Sequence, residues 1–173
     1  MRLVAGAVSE PARLASLVGS AALVAVLPII LAGLTVMEAG ADRGKPYIDE
    51  LGKGRPITVC DGVVVKVWRR YSEAECDALV EGLVVGYYGP AVIRCVPALG
   101  MRERGNQLIA SVWFAWNLGP DVFCRSSGAK AFLVGQWRQG CHLLTRYIYS
   151  RGVKRQGLIN RRGFEERRCL QGL

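Results

Sequence analysis

The chain has 173 residues, with 23 Lys or Arg, 14 Asp or Glu, one His and six Cys. Once an apolar N-terminal stretch is set aside, the remainder is the size of one domain, which excludes a two-core arrangement. The single His142 and the lack of any C-x-x-C pair argue against a zinc site. The net charge of +9 lies wholly beyond residue 41, because Arg2 and Arg13 balance Glu10 and Glu38; it favours an anionic partner.

Leu14 to Met37 is a run of 24 residues without a charge, and Glu38 is the first charge after it. About 20 apolar residues cross a bilayer as a helix. Residues 1–37 therefore read as a signal-anchor segment and 38–173 as the domain that follows. Arg2 and Arg13 precede the run, which predicts a cytoplasmic N-terminus with Glu38 outside. Eleven of the 24 residues are Ala, Gly, Ser, Thr or Pro, among them Pro28, so insertion is favourable by a small margin only. The expectation is a releasable anchor: the chain is held in the inner membrane through residues 14–37 and then freed into the periplasm. A cleaved signal peptide processed at Ala39-Gly40-Ala41 and a permanent anchor are the alternatives. Export makes nucleic acid a poor candidate for the anionic partner and an envelope polymer a better one. It also suits the six cysteines (Cys60, Cys76, Cys95, Cys124, Cys141, Cys169), an even set that predicts three disulfides; spacing leaves their pairing open.

Residues 39–58 are rich in Gly and Pro and read as loops and short strands. Thr58 to Val67 is β-rich, with Asp61-Gly62 as a turn, and predicts a hairpin. Ser72 followed by Glu75 is a capping box that opens a helix carrying Ala74, Leu79, Val80, Leu83 and Val84. A loop is expected around Pro90 and Pro97. Residues 103–118 are the strongest helical segment: Leu108, Val112, Ala115 and Trp116 share a face, Trp113, Phe114 and Trp116 read as core, and Gly119-Pro120 ends it. Shorter helices are expected near 127–138 and 140–150, and a last basic helix from about Leu158 to Leu170.

Glu38, Asp49 and Thr58 fall in one short stretch ahead of Val59-Cys60. Around them stand Tyr47-Ile48-Asp49, Gly52 and Gly54, and Thr58-Val59-Cys60-Asp61-Gly62. Further on come Tyr71-Ser72-Glu73-Ala74-Glu75-Cys76, Ala115-Trp116-Asn117-Leu118-Gly119, and Gly157-Leu158-Ile159-Asn160-Arg161-Arg162 with Glu166 and Cys169. In order and coverage these resemble the phage-type lysozyme (endolysin, muramidase) family, in its exported signal-anchor-release form. Departures are an eleven-residue step from Glu38 to Asp49, Ala39 where the family has Gly, Val64 in a Thr position, and Gly163 in the last helix.

The resemblance implies an α+β, mainly α, lysozyme-like fold: a small β-hairpin lobe and a larger helical lobe, preceded by the N-terminal apolar helix. It implies hydrolysis of the β-1,4 bond between N-acetylmuramic acid and N-acetylglucosamine in peptidoglycan strands, causing lysis, by a monomer without metal or cofactor. Such chemistry needs one carboxyl to protonate the leaving oxygen and usually a second carboxylate. The expected roles are Glu38 as acid, Asp49 as the ionised partner and Thr58 as the group orienting water. Arg161 would approach Glu38, with Asn117 in support, and Asp42 and Glu50 are the nearest substitutes for the acid. The implied disulfides are Cys60–Cys76, Cys95–Cys124 and Cys141–Cys169. A catalytically weakened, membrane-tethered protein that binds the envelope is the alternative function. A lytic transglycosylase would have no use for Asp49 and Thr58, and His142 reads as structural rather than as part of an amidase.

Overall fold

The computed structural model describes residues 10–38 (side chains from residue 21 onward), 42–50 and 54–173. Arg2, Gly52 and the cleavage site weighed at Ala39-Gly40-Ala41 lie outside them. The apolar run forms α1 (Glu10–Glu38), unbroken through Pro28. One face of α1 enters the core of the helical lobe: Leu23, Ile30 and Leu34 are buried. They meet α3 (Gly89–Cys95) and α4 (Gly105–Leu118). The Trp113 indole N–H donates to the Ile30 carbonyl at 2.9 Å, and a Cβ added at Gly33 would overlap that indole. The opposite face stays apolar and exposed at Val24, Ile29 and Val36. Pro28 lies on that face and, having no N–H, offers the Val24 carbonyl no donor from four residues on.

The β lobe is a three-stranded antiparallel sheet in the order β1 (Tyr47–Ile48), β2 (Ile57–Val59), β3 (Val63–Val65). Tyr47 pairs with Thr58, and Val59 with Val63. The expected Asp61-Gly62 turn is present. Cys60, Asp61 and Gly62 all have positive φ (45°, 54° and 92°). Gly takes this conformation freely and Asp fairly readily, whereas Cys does not. Cys60 is held there by its bond to Cys76 in α2 (Glu73–Leu83) and by donating its N–H to the Arg43 carbonyl at 2.9 Å.

The Ser72–Glu75 capping box opens α2 as expected. The loop expected around Pro90 is absent. The helix passes through a π-helical turn (Val84–Tyr88) directly into α3, with Pro90 in the first turn of α3, where a missing N–H does little harm. Pro97 opens a short 3₁₀ turn (Pro97–Gly100). The segment expected to be amphipathic, α4, is buried from Gln107 through Trp116, because α1, α3, α5 (Pro120–Arg125) and α8 (Gln156–Cys169) surround it. Gly119, at φ 91°, ends α4, and Pro120 starts α5.

The helix expected near 127–138 is α6 (Ser127–Leu133), capped by the Ser126 side chain. The one expected over 140–150 is shorter: α7 (Trp137–Leu144) stops, and β4 (Tyr149–Ser150) pairs with β5 (Val153–Lys154) across an Arg151-Gly152 turn with both residues at positive φ. The three implied disulfides are formed, with Cα separations of 5.0, 5.4 and 5.7 Å in chain order. They tie the β-lobe turn to α2, α3 to α5, and α7 to α8.

Candidate active site

Glu38 is the last residue of α1, and the core packing of that helix fixes where its carboxyl can reach. The side chain is 22% exposed, and its Oε1 accepts from Arg161 Nη1. A Cβ added to Gly62 would lie 3.8 Å from Glu38 Oε2, so the β-lobe turn passes close to the Glu38 carboxyl. Behind the turn, Trp116 donates its indole N–H to the Asp61 carbonyl at 2.9 Å, and the Tyr88 ring packs on Trp116 with centroids 4.8 Å apart. A cleft of about 400 Å³ opens in front, lined by Glu38, Arg43, Lys45, Tyr47, Asp61 and Gly62 among others.

Arg43 closes one side of this cleft. It donates to the buried Asp61 carboxylate at 2.8 Å and to Glu73 and Asp77 of α2 at 2.8 and 2.7 Å. The Asp61 hydrogen bond raises the Arg43 pKa further above its ordinary value. This clamp joins the segment after Glu38 to the hairpin turn and to α2.

Asp49 sits at the end of β1, and its N–H donates to the Pro56 carbonyl at 3.0 Å. Tyr47 lies between the two candidate carboxylates in its electrostatics: burial raises the phenol pKa, and Asp49 and then Glu38 push it the same way. Thr58 is buried on β2 opposite Tyr47, with its hydroxyl donating to the Pro56 carbonyl at 3.4 Å. Neither Asp49 nor Thr58 lines this cleft. Of the two other carboxyls considered in place of Glu38, Asp42 lines the same cleft and makes a two-pronged pair with Arg70 at 2.8 and 2.6 Å, and Glu50 pairs with Arg55.

Behind Glu38, α8 carries a buried cluster of charge. Arg161, at the edge of burial, donates through Nε to Glu165 Oε1 at 3.2 Å and through Nη2 to the Trp113 carbonyl at 3.3 Å. Arg162 is fully buried, donates to Asn117 at 2.8 Å, pairs with Glu165 at 3.0 Å and lies over the Phe114 ring. Asn117 thus supports Arg162. Burial lowers the Arg162 pKa to about 10 and pushes that of Glu165 up to about 7.

One residue of this cluster, Glu165, is not among the expected site residues, and neither is the Arg43–Asp61 pair. The sequence reading groups Glu166 with Arg161-Arg162, but the buried partner of the arginines is Glu165; Glu166 instead pairs with His142. The signal was available, since only Glu165 stands three and four residues from both arginines, on the same helix face. Arg43 and Asp61, 18 residues apart, carried no such local signal.

The Glu165 shift has a consequence for stability. A carboxyl whose pKa rises on folding, from 4.5 to about 7, favours the fold fully below the lower value and loses that contribution as pH climbs to the upper one. Wild type is expected to lose roughly 2–4 kcal/mol relative to Glu165→Gln between pH 4.5 and pH 8. Urea midpoints at the two pH values check this; parallel losses in both proteins would refute it.

The Phage lysozyme family model matches residues 38–165. The SAR-endolysin of Bacteriophage PS119 is 32% identical over 136 residues, 75% of each chain. Among solved structures, the muramidase domain of SpmX from Asticaccaulis excentricus shares the fold at TM-score 0.64 and 17% identity, over 83% of this chain and 95% of that one. The active form of the P1 phage endolysin Lyz shares it at TM-score 0.60 and 18% identity, over 97% of each chain, a coverage that has to include most of α1. With its α+β two-lobe fold, its Glu38-centred cleft and these likenesses, the chain belongs to the phage lysozyme family.

Proposed function

We propose that the chain is a peptidoglycan-degrading endolysin that hydrolyses the β-1,4 bond between N-acetylmuramic acid and N-acetylglucosamine and so lyses the host. Glu38 delivers a proton to the leaving glycosidic oxygen. Asp49 is the second carboxylate, which stabilises positive charge on the sugar or activates water, and Thr58 orients that water. Arg161 orients Glu38, and Asn117 acts through Arg162. The basic surface suits an anionic cell-wall polymer.

The observation that carries this reading is that Glu38 ends the long apolar helix α1, one face of which is packed in the core, and lines the cleft. Residues 14–37 insert into the inner membrane, and while α1 is in lipid Glu38 is held at the membrane surface, away from Asp49 and substrate. Departure of α1 into the periplasm lets it dock on α4 and completes the site. Lipid tails are as apolar as Leu, so docking gains little from burying Leu23, Ile30 and Leu34 as such. Release is supported instead by specific contacts: the Trp113–Ile30 hydrogen bond and the Arg161–Glu38 pair.

The reaction is tested by product analysis of digested peptidoglycan. The expected product carries a new reducing end at N-acetylmuramic acid. An anhydro sugar would indicate a transglycosylase, and binding without cleavage would favour the envelope-binding alternative.

A further inference from the structure

We propose that Glu165 is a positioning residue: by sharing the Arg161 guanidinium with Glu38, it governs how tightly Arg161 holds the proton-delivering carboxyl. This rests on the reading of Glu38 as the acid. Arg161 meets the two glutamates with different nitrogens of one fork, Nη1 to Glu38 and Nε to Glu165 at 3.2 Å. Its remaining terminal nitrogen is fixed on the Trp113 carbonyl at 3.3 Å. The guanidinium therefore cannot move toward one carboxyl without loosening from the other.

Glu165 is a poor candidate for a purely stabilising residue. It is buried, its Oε2 has no hydrogen-bond partner among the described residues, and Arg162 Nε and Nη1 are likewise unpaired. Buried charges of this kind usually cost more than they return unless fully satisfied. The charged groups facing Glu165 are Arg161 and Arg162 from its own helix and Glu38 from α1. From α4, the neutral Asn117 side chain accepts from Arg162 and the Trp113 carbonyl from Arg161. The neighbouring α7 brings His142, which is taken by Glu166. Burial, aided by the Glu38 charge, places Glu165 near neutrality, so both of its protonation states are populated there. Ionised, it draws on Arg161; protonated, it leaves Arg161 to Glu38 alone.

The test uses the purified full chain, with wild type, Glu38→Gln and Glu165→Gln compared in initial rates of peptidoglycan clearing at limiting substrate from pH 4 to pH 9. In Glu165→Gln, Arg161 has Glu38 as its only acidic partner, grips it more tightly and disfavours its protonated form. The alkaline limb of the profile is expected to move down by about one pH unit. A limb at the wild-type position overturns the inference. Retained activity in Glu38→Gln would instead overturn the reading of Glu38 as acid, so the two failures are distinguishable. Should Glu165→Gln not fold, ¹³C NMR of the wild-type Glu38 carboxyl decides the matter. A second inflection in its titration, as Glu165 titrates, supports the proposal, and a single inflection refutes it.

Discussion

Glu38→Gln is expected to lower peptidoglycan hydrolysis by about 10²–10⁴-fold and to leave the fold intact. The amide is nearly isosteric, and its oxygen can still accept from Arg161, so α1 keeps its place against α4 and the turn at Gly62 meets no new bulk. What is lost is the transferable proton. The nearest substitutes weighed for it, Asp42 and Glu50, are exposed and ion-paired with Arg70 and Arg55. Clearing rates with unchanged thermal melting would meet the expectation. Activity near wild type would move the acid elsewhere and remove the functional significance of the Arg161 contact.

Gly33→Val separates assembly of the site from its chemistry. A Cβ at this position collides with the Trp113 indole, and the contact is with the rigid ring of a fully buried side chain. Overpacking of this kind costs about 1–3 kcal/mol, occasionally more, so the equilibrium for docking α1 should fall by up to about 10²-fold. In lipid the same change is harmless, since Val adds apolar surface. The variant is therefore expected to stay with the membrane fraction and to lose lytic activity, although every catalytic side chain is intact. Ala32→Val, on the exposed face of α1, adds similar apolar surface without the collision and serves as control. A Gly33→Val protein that is soluble and fully active would contradict the docking account.

These two positions show what a linear reading could and could not reach. The lack of charge from Leu14 to Met37 announced a membrane segment, and the motif order announced the fold and the candidate acid. Neither revealed that the segment is also a core helix. A helix apolar all round looks alike whether lipid or protein surrounds it. What distinguishes the docked face is Gly33 beneath Trp113 and the Ile30 carbonyl under the indole N–H, contacts 80 and 83 residues apart. Local signals held where local physics decides: the Ser72 capping box, the Asp61-Gly62 turn and the Gly119-Pro120 stop. They failed where a competing local rule won. Pro90 reads as a breaker but sits in a helical first turn, and Arg151-Gly152 makes a hairpin that cuts short the helix expected to 150. Glu165 and Glu166 are the same residue type, and only helix face separates the partner of the arginines from the partner of His142.

The central claim is that the export helix remains part of the working enzyme. It is tested most directly by the intact mass of the soluble, lytically active protein recovered from the periplasm. A chain that still includes residues 10–38 is the predicted result. A fully active chain beginning beyond Glu38 would contradict it.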